Sequence, residues 1–123
     1  MTTQRLSLGK KGEKEARVFL EKSGYKIVAS NYRTRSGEID LIARDREVLV
    51  FVEVKTRSNT MFGSALEAIT PRKQRQISKV AAEYLARYGF TDSPARFDVV
   101  AVTIEHSSPH VELVKNAFEF SYG

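Results

Sequence analysis

The sequence contains no cysteine and only two histidines. The absence of cysteine excludes a disulfide framework, metal sites built on thiolates and catalysis by a cysteine nucleophile. His106 and His110 flank a Ser-Ser-Pro turn and lack a third ligand at a suitable spacing, so we interpret both as surface residues. A phosphate-binding glycine loop is also missing, because Gly9-Lys10-Lys11-Gly12 is short and follows no strand.

Long apolar runs are missing as well. No segment approaches the length that crosses a membrane. The N-terminal residues MTTQRLSLGKKGEKEAR carry charges with no apolar run behind them, which does not fit a signal peptide. We therefore expect a soluble protein without membrane contact, and the lack of cysteine fits the cytoplasm.

What remains is the composition of a globular domain. The 123 residues are 41% hydrophobic and 28% charged, which predicts a single domain over residues 1–123 with one core. The net charge is +5, with a pI near 9.6, and this suits a polyanionic partner. Charge alone does not separate nucleic-acid binding from a merely basic surface.

Hydrophobic periodicity and turn residues predict seven elements in the order αβββαββ. The helices are expected at Leu8–Ser23 and Pro71–Tyr88, the second with Thr70 as N-cap, and the strands at Tyr25–Ala29, Glu38–Arg44, Glu47–Thr56, Phe97–Ile104 and Val111–Val114. Residues 30–31, 34–37 and 57–63 are expected in turns or loops. The pattern is that of an α/β fold with a mixed central sheet flanked by helices.

The strand Glu47–Thr56 is hydrophobic throughout except at two charged positions. Glu53 and Lys55 are two residues apart and project from the same face of the strand. Burying both charges is costly unless partners compensate, so their presence points to a site. A salt-bridged stripe on a half-exposed sheet is the alternative interpretation.

A second charge, Asp40, interrupts the preceding strand among Ile39, Leu41 and Ile42. A two-residue turn at Asp45-Arg46 would pair Asp40 with Phe51, on the same face as Glu53 and diagonal to it, roughly 7–8 Å away. A three-residue turn would place the carboxylates on opposite faces.

Two carboxylates at this spacing suit a hard cation, Mg²⁺ or Mn²⁺, as a cofactor. Lys55 would stabilise a phosphate or orient the attacking water. The combination of a cation held by Asp40 and Glu53 with a neighbouring lysine predicts metal-dependent hydrolysis of a phosphodiester.

Two sequence runs carry a family resemblance. The runs Gly37–Ile42 (GEIDLI) and Phe51–Arg57 (FVEVKTR) resemble the D...ExK signature of the restriction-endonuclease-like superfamily, which includes archaeal Holliday junction resolvases. Together with Gly12-Glu13, Asn31-Tyr32-Arg33 and the stretch Phe62-Gly63 to Ala68, they resemble the YraN-like family of small bacterial proteins over roughly residues 9–104.

The resemblance implies an αβββαβ core, a divalent metal and endonuclease activity on DNA rather than RNA, with selectivity for branched or junction DNA and a homodimer as narrower expectations. It also implies that Glu13 is a further acidic member of the site and a metal ligand. Glu15 is the competing residue in the same helix and is better interpreted as a solvated charge. Glu38, expected opposite Glu53, is either a contributor or the polar start of a strand.

Basic residues that would hold the nucleic acid concentrate on the second helix. Arg72, Arg75 and Lys79, with Gln76 and Arg87, lie opposite its apolar stripe, which favours phosphate contacts. A solvated helix face is the alternative. Arg33, Arg35 and Arg57 are expected in loops beside the catalytic strands, where they would contact the nucleic-acid backbone.

Two other functions stay open at this point. One is a nucleic-acid-binding accessory protein in repair, recombination or DNA uptake that keeps the nuclease fold without turnover. The other is a protein-interaction domain that needs neither metal nor nucleic acid. Asp98, an acidic residue at the start of a strand, is left unexplained.

Overall fold

The protein is represented by a computed structural model that describes residues 3–58, 69–105 and 108–121. The stretch Phe62-Gly63 to Ala68, residues 59–63 of the expected loop and His106 lie outside these ranges. The described residues form two helices and five strands: α1 (Thr3–Lys22), β1 (Lys26–Thr34), β2 (Gly37–Asp45), β3 (Val48–Arg57), α2 (Pro71–Arg87), β4 (Ala95–Glu105) and β5 (Ser108–Phe118).

The strands form one mixed sheet in the order β1-β2-β3-β4-β5. β1, β2 and β3 are antiparallel neighbours, β3 and β4 are parallel, and β4 and β5 are antiparallel. α2 lies between β3 and β4 in the chain, as parallel neighbours need a crossover connection. The predicted element order and mixed sheet are confirmed.

Alternate side chains of the central strands pack on opposite faces of the sheet. Leu49 and Phe51 of β3 belong to the core beneath α2, whereas Val50 and Val52 belong to the core beneath α1. Because both faces are covered, the central strands are hydrophobic at almost every position. A charged residue within them therefore needs a specific partner.

α2 is fixed at its beginning and along its side. Thr70 accepts a hydrogen bond from the backbone N–H of Lys73 (3.1 Å), and Pro71 occupies the first turn, as predicted. Farther along, the Glu83 carboxylate accepts hydrogen bonds from the hydroxyls of Thr34 (2.7 Å) and Ser36 (2.8 Å) at the β1–β2 turn. These contacts hold α2 over the strands that carry the site.

β1 is longer than its hydrophobicity suggests. The predicted end at Ala29 is wrong, since pairing with β2 continues to Thr34, opposite Gly37. β1 forms an edge of the sheet and alternates exposed and half-buried residues, so polar residues continue it. Within it Asn31 adopts a left-handed backbone (φ 50°), which asparagine tolerates.

β5 is also longer than predicted. The expected strand Val111–Val114 forms only its middle, and Ser108 and Pro109, expected in a turn, begin the strand. Proline is tolerated here because β5 is an edge strand, where one side of the backbone needs no hydrogen-bond partner.

Asp98 is fully buried and has a structural explanation. It accepts hydrogen bonds from the Tyr25 hydroxyl (2.7 Å), from Arg96 Nε (2.9 Å) and from the backbone N–H of Asn116 (2.9 Å). Arg96 also forms an ion pair with Asp45 at the end of β2 (2.8 Å). A buried charge is tolerated when it is paired in this way, and the network ties β2, β4 and β5 together.

Neither helix of the described residues is long and apolar enough to cross a membrane.

Candidate metal centre

Asp40 of β2 and Glu53 of β3 meet where the ladder between their strands ends. The last paired residues are Leu41 and Val52, and the same register continued by one residue sets Asp40 opposite Glu53. The carboxyl groups lie within hydrogen-bonding contact of each other. The two acidic side chains therefore lie next to each other at the end of the ladder between two inner strands.

The predicted hairpin geometry needs a correction. Asp45 pairs with Val48, so the turn consists of Arg46 (φ 58°) and Glu47 rather than residues 45–46. Ile42, not Asp40, therefore faces Phe51. The register is shifted by two residues, and an even shift leaves Asp40 and Glu53 on the same side, as predicted.

The Asp40 side chain points toward β3 at the place where β2 and β3 stop pairing. Its Oδ2 accepts a hydrogen bond from the backbone N–H of Val54 (2.8 Å). Ile39 packs in the core beneath α2 and Leu41 in the core beneath α1, although residues two apart in a regular strand share a face. The alternation of β2 is therefore interrupted at Asp40, whose carboxylate contacts β3.

Glu53 is a buried acid whose pKa is raised above the ordinary value of a glutamate. Its side chain is 10% exposed. Burial, followed by the charge of Asp40 and a hydrogen bond to it, raises the pKa of Glu53 to about 8, and Lys73 opposes this shift. Without a metal, the Glu53 carboxyl group therefore keeps its proton at neutral pH.

The ammonium group of Lys73 is the cation that faces this pair. Lys73 Nζ lies 3.5 Å from Glu53 Oε2, and the lysine side chain is 41% exposed. Lys73 comes from the first turn of α2, so the crossover helix brings a positive charge to the two strands.

Glu13 reaches the same region from α1 because its helix approaches β3 closely. A Cβ at Gly12 would overlap Thr56 Oγ1 and lie 2.7 Å from Thr56 Cβ, so only glycine fits between helix and strand. Partial burial, and the charges of Asp40 and Glu38, raise the pKa of Glu13 against the hydrogen bond from Asn31. Glu13 therefore lies near Asp40, on the side of α1.

Asn31 and Arg33 of β1 complete the acidic surroundings. Asn31 Nδ2 donates to Glu13 Oε1 (3.3 Å) and to Glu38 Oε1 (3.1 Å). Glu38 also forms an ion pair with Arg33 (3.2 Å). The prediction of Glu38 opposite Glu53 is wrong, because the register of β2 and β3 sets Asp40 opposite Glu53.

The two carboxylate side chains of this site are suitable ligands for one hard divalent cation. Asp40 and Glu53 offer carboxylate oxygens, and a cation would replace the proton that Glu53 holds. In residues 3–58, 69–105 and 108–121, no three acidic or histidine side chains converge closely enough to ligate one ion. This suits Mg²⁺, which keeps several water ligands and uses one or two carboxylates.

Lys55 and Arg57 follow Glu53 along β3. Lys55 is exposed, two residues beyond Glu53. Arg57, expected in a loop, is instead the last residue of β3, and its Nε donates to Thr103 Oγ1 (3.3 Å). Both residues alternate with Glu53 on the same face of β3, toward the end of the strand.

A basic groove runs along α2 beside the carboxyl pair. It has a volume of about 780 Å³, and its lining includes the predicted cations Arg72, Arg75 and Lys79 together with Lys73. Asp40 and Glu53 do not line the groove, and Lys73 connects the two features because it lines the groove and contacts Glu53.

The other predicted phosphate contacts lie farther around the site. Arg33 belongs to β1 rather than to a loop, is 73% exposed and is engaged by Glu38. Arg35 is exposed in the β1–β2 turn. The Arg87 guanidinium lies over the Tyr88 ring at the far end of α2, 5.4 Å from the ring centroid.

Two residues of the site were not assigned from sequence. Lys73 was counted only as one of the charges of α2, and Asn31 only as part of a motif. Their contacts depend on how α2 crosses the sheet and on the extension of β1, and no local pattern encodes either. For Lys73 only its position in the helix was informative. It lies three residues after the N-cap Thr70, and the first turn of a crossover helix lies near the end of the preceding strand.

The two helices and the five-stranded mixed sheet form a restriction-endonuclease-like α/β core. Residues 12–102 match the model of the family described as "Uncharacterised protein family UPF0102". The chain belongs to this family.

Similar proteins of the same family align over nearly the whole chain. A UPF0102 protein of Geobacter metallireducens is 48% identical over 122 residues, which are 99% of this chain and 100% of the relative. A UPF0102 protein of Geobacter sulfurreducens is 50% identical over 116 residues, covering 94% and 91%. One from Symbiobacterium thermophilum is 51% identical over 112 residues, covering 90% and 95%.

Proposed function

We propose that this protein is a metal-dependent endonuclease that hydrolyses phosphodiester bonds of DNA, with Mg²⁺ or Mn²⁺ as its cofactor. The observation that carries the proposal is the carboxyl pair of half-buried Asp40 and buried Glu53, because Lys73, which contacts Glu53, also lines a groove with Arg72, Arg75 and Lys79. A carboxyl pair of this kind binds a hard cation, and a cationic groove binds a phosphate backbone.

In the proposal, Asp40 and Glu53 hold the metal through their carboxylate oxygens. A bound metal would stabilise the negative charge on a phosphoryl oxygen and lower the pKa of an attacking water. Lys55, beside Glu53 on the strand, positions that water or the phosphate. Glu13, close to Asp40, serves as an auxiliary acid, and it does not join Asp40 and Glu53 as a third ligand because the three side chains do not converge on one point.

Arg72, Arg75 and Lys79 contact successive phosphates along the groove, and Arg33, Arg35 and Arg57 extend the contact around the site. Contacts to phosphates carry no base information. We therefore expect cleavage with little sequence preference, and selectivity for branched or junction DNA is the narrower part of the proposal.

The test is cleavage of labelled linear, nicked, flapped and four-way DNA substrates by purified protein with Mg²⁺ or Mn²⁺. Asp40→Asn is the control, since it keeps the shape of the side chain and removes its charge. Cleavage by the unaltered protein alone supports the proposal. Equal cleavage by both proteins, or none by either, refutes it.

The groove also supports the non-catalytic alternative, because its cations do not depend on the carboxyl pair. A DNA-binding accessory protein would bind DNA in a salt-dependent manner without cutting it. Its affinity would fall in Arg72→Met or Lys79→Met and stay unchanged in Asp40→Asn.

A cytoplasmic location and a homodimer belong to the same proposal. The absence of cysteine fits the reducing compartment in which bacterial DNA lies. Sedimentation equilibrium of the purified chain measures the oligomeric state directly.

A further inference from the structure

Lys73 belongs to both halves of the proposed site. Its ammonium group lies 3.5 Å from Glu53 Oε2, and the same side chain lines the basic groove with Arg72, Arg75 and Lys79. A cation in this position compensates the carboxyl pair as long as no metal is bound there.

A metal ion and the ammonium group compete for the same carboxylate. A divalent cation held by Asp40 and Glu53 would repel an ammonium at ion-pair distance from Glu53. The Lys73 side chain is 41% exposed and carries its charge on a flexible four-carbon stem, so it can turn away from Glu53 without unfolding the helix.

The place open to Lys73 is the groove that it already lines. The predicted phosphate contacts of that groove are cations, so another free ammonium there is unfavourable until an anion binds. A nucleic-acid phosphate is such an anion.

We propose that Lys73 exchanges partners, pairing with Glu53 in the metal-free protein and with a backbone phosphate of the substrate once a divalent cation occupies Asp40 and Glu53. The inference rests on the proposed function and assigns Lys73 as a phosphate-binding residue next to the scissile bond. Because each ligand releases a constraint on the other, metal and nucleic acid bind cooperatively.

The exchange predicts that losing Lys73 has opposite effects on the two ligands. Without nucleic acid, Lys73→Met removes the competitor of the metal and is expected to tighten Mn²⁺ binding about tenfold, which corresponds to about 1.4 kcal/mol. Lys79→Met is the matched control, since Lys79 lies about 9 Å farther along the helix axis and lines the same groove. It is expected to change Mn²⁺ affinity less than about twofold, because salt screens charges at that separation.

The experiment is calorimetric titration of Mn²⁺ alone into the unaltered protein, Lys73→Met, Lys79→Met, Lys73→Arg and Asp40→Asn. Methionine is a good helix former, so the exposed substitution preserves α2. Lys73→Arg keeps the charge and is expected to restore an affinity near that of the unaltered protein.

A second arm measures binding of a fluorescent DNA duplex in EDTA. Lys79→Met is expected to weaken binding about fivefold, the loss of roughly one phosphate contact, whereas Lys73→Met has a smaller effect because Lys73 is then held by Glu53.

The outcomes separate the two proposals. If the unaltered protein binds Mn²⁺, Asp40→Asn does not, and Lys73→Met binds no more tightly than Lys79→Met, the exchange is refuted and the metal centre stands. If the unaltered protein binds no Mn²⁺, the metal centre and the exchange both fail.

Discussion

Replacing Glu53 with glutamine is expected to stabilise the metal-free protein at neutral pH, although it removes a proposed metal ligand. Burial and the charge of Asp40 raise the pKa of Glu53 from an ordinary value of 4.5 to about 8. In the unfolded chain this carboxyl is ionised at pH 7, so folding must bind a proton. Glutamine resembles the protonated acid and removes that requirement, and its amide can still donate to Asp40.

The magnitude follows from the pH interval involved. Each pH unit corresponds to about 1.36 kcal/mol, so the interval from 4.5 to pH 7 corresponds to at most about 3.4 kcal/mol of lost stability. Relaxation around a buried charge reduces such figures, and we expect Glu53→Gln to gain about 1–2 kcal/mol. In a chain of this size the unfolding midpoint would rise by roughly 4–8 °C.

The sign of the pH dependence is part of the prediction. Because the folded-state pKa of Glu53 is raised, its unfavourable contribution is absent below about pH 4.5, grows as the pH rises and is complete near pH 8. The stability difference between Glu53→Gln and the unaltered protein should therefore be small at pH 4 and increase up to about pH 8.

Urea unfolding in EDTA at several pH values measures this difference. Glu47→Gln, the same chemical change at an exposed turn residue, is the control and should show no comparable trend. A Glu53→Gln protein that is less stable than the unaltered protein at pH 7, or a difference that does not grow between pH 5 and pH 8, would contradict the buried carboxyl pair.

Three further predictions concern the same framework. Mn²⁺ affinity should rise with pH and level off above about pH 8, because the metal displaces the proton on Glu53; calorimetry that finds a flat profile from pH 6 to 8 would argue against this. Gly12→Ala should destabilise the protein by about 1–2 kcal/mol, because the added methyl group forces α1 away from Thr56. Gly9→Ala has open space around it and should stabilise the same helix by about 0.5–1 kcal/mol. Thermal unfolding that finds Gly12→Ala more stable than Gly9→Ala would disprove the close contact. Asp98→Asn should destabilise by about 2–4 kcal/mol, since it removes the fully buried charge that pairs with Arg96 at 2.9 Å. A loss below about 1 kcal/mol in urea unfolding would show that the network is dispensable.

The parts of the fold that the sequence predicted are those with local causes. α2 follows from the Thr70 cap, the proline after it and a regular apolar stripe. The meeting of Asp40 and Glu53 follows from parity, because any two-residue turn leaves both carboxyls on one face even when the turn is misplaced by one residue.

The parts that it did not predict depend on distant contacts. The β1 extension consists of polar residues that become strand only because β2 pairs with them. Lys73 reaches Glu53 because α2 crosses the sheet above β3. Asp98 finds a partner in Tyr25, 73 positions away in the chain. None of these separations leaves a signal in a window of neighbouring residues.

The central claim is that Asp40 and Glu53 form the metal centre of a nuclease. The most direct measurement is the initial rate of Mg²⁺-dependent cleavage of a four-way DNA junction by the unaltered protein and by Asp40→Asn, each purified identically and also assayed in EDTA. Loss of a metal ligand is expected to lower the rate by about 100-fold or more, to the level seen in EDTA. Equal rates for the two proteins, or cleavage that persists in EDTA, would contradict the claim.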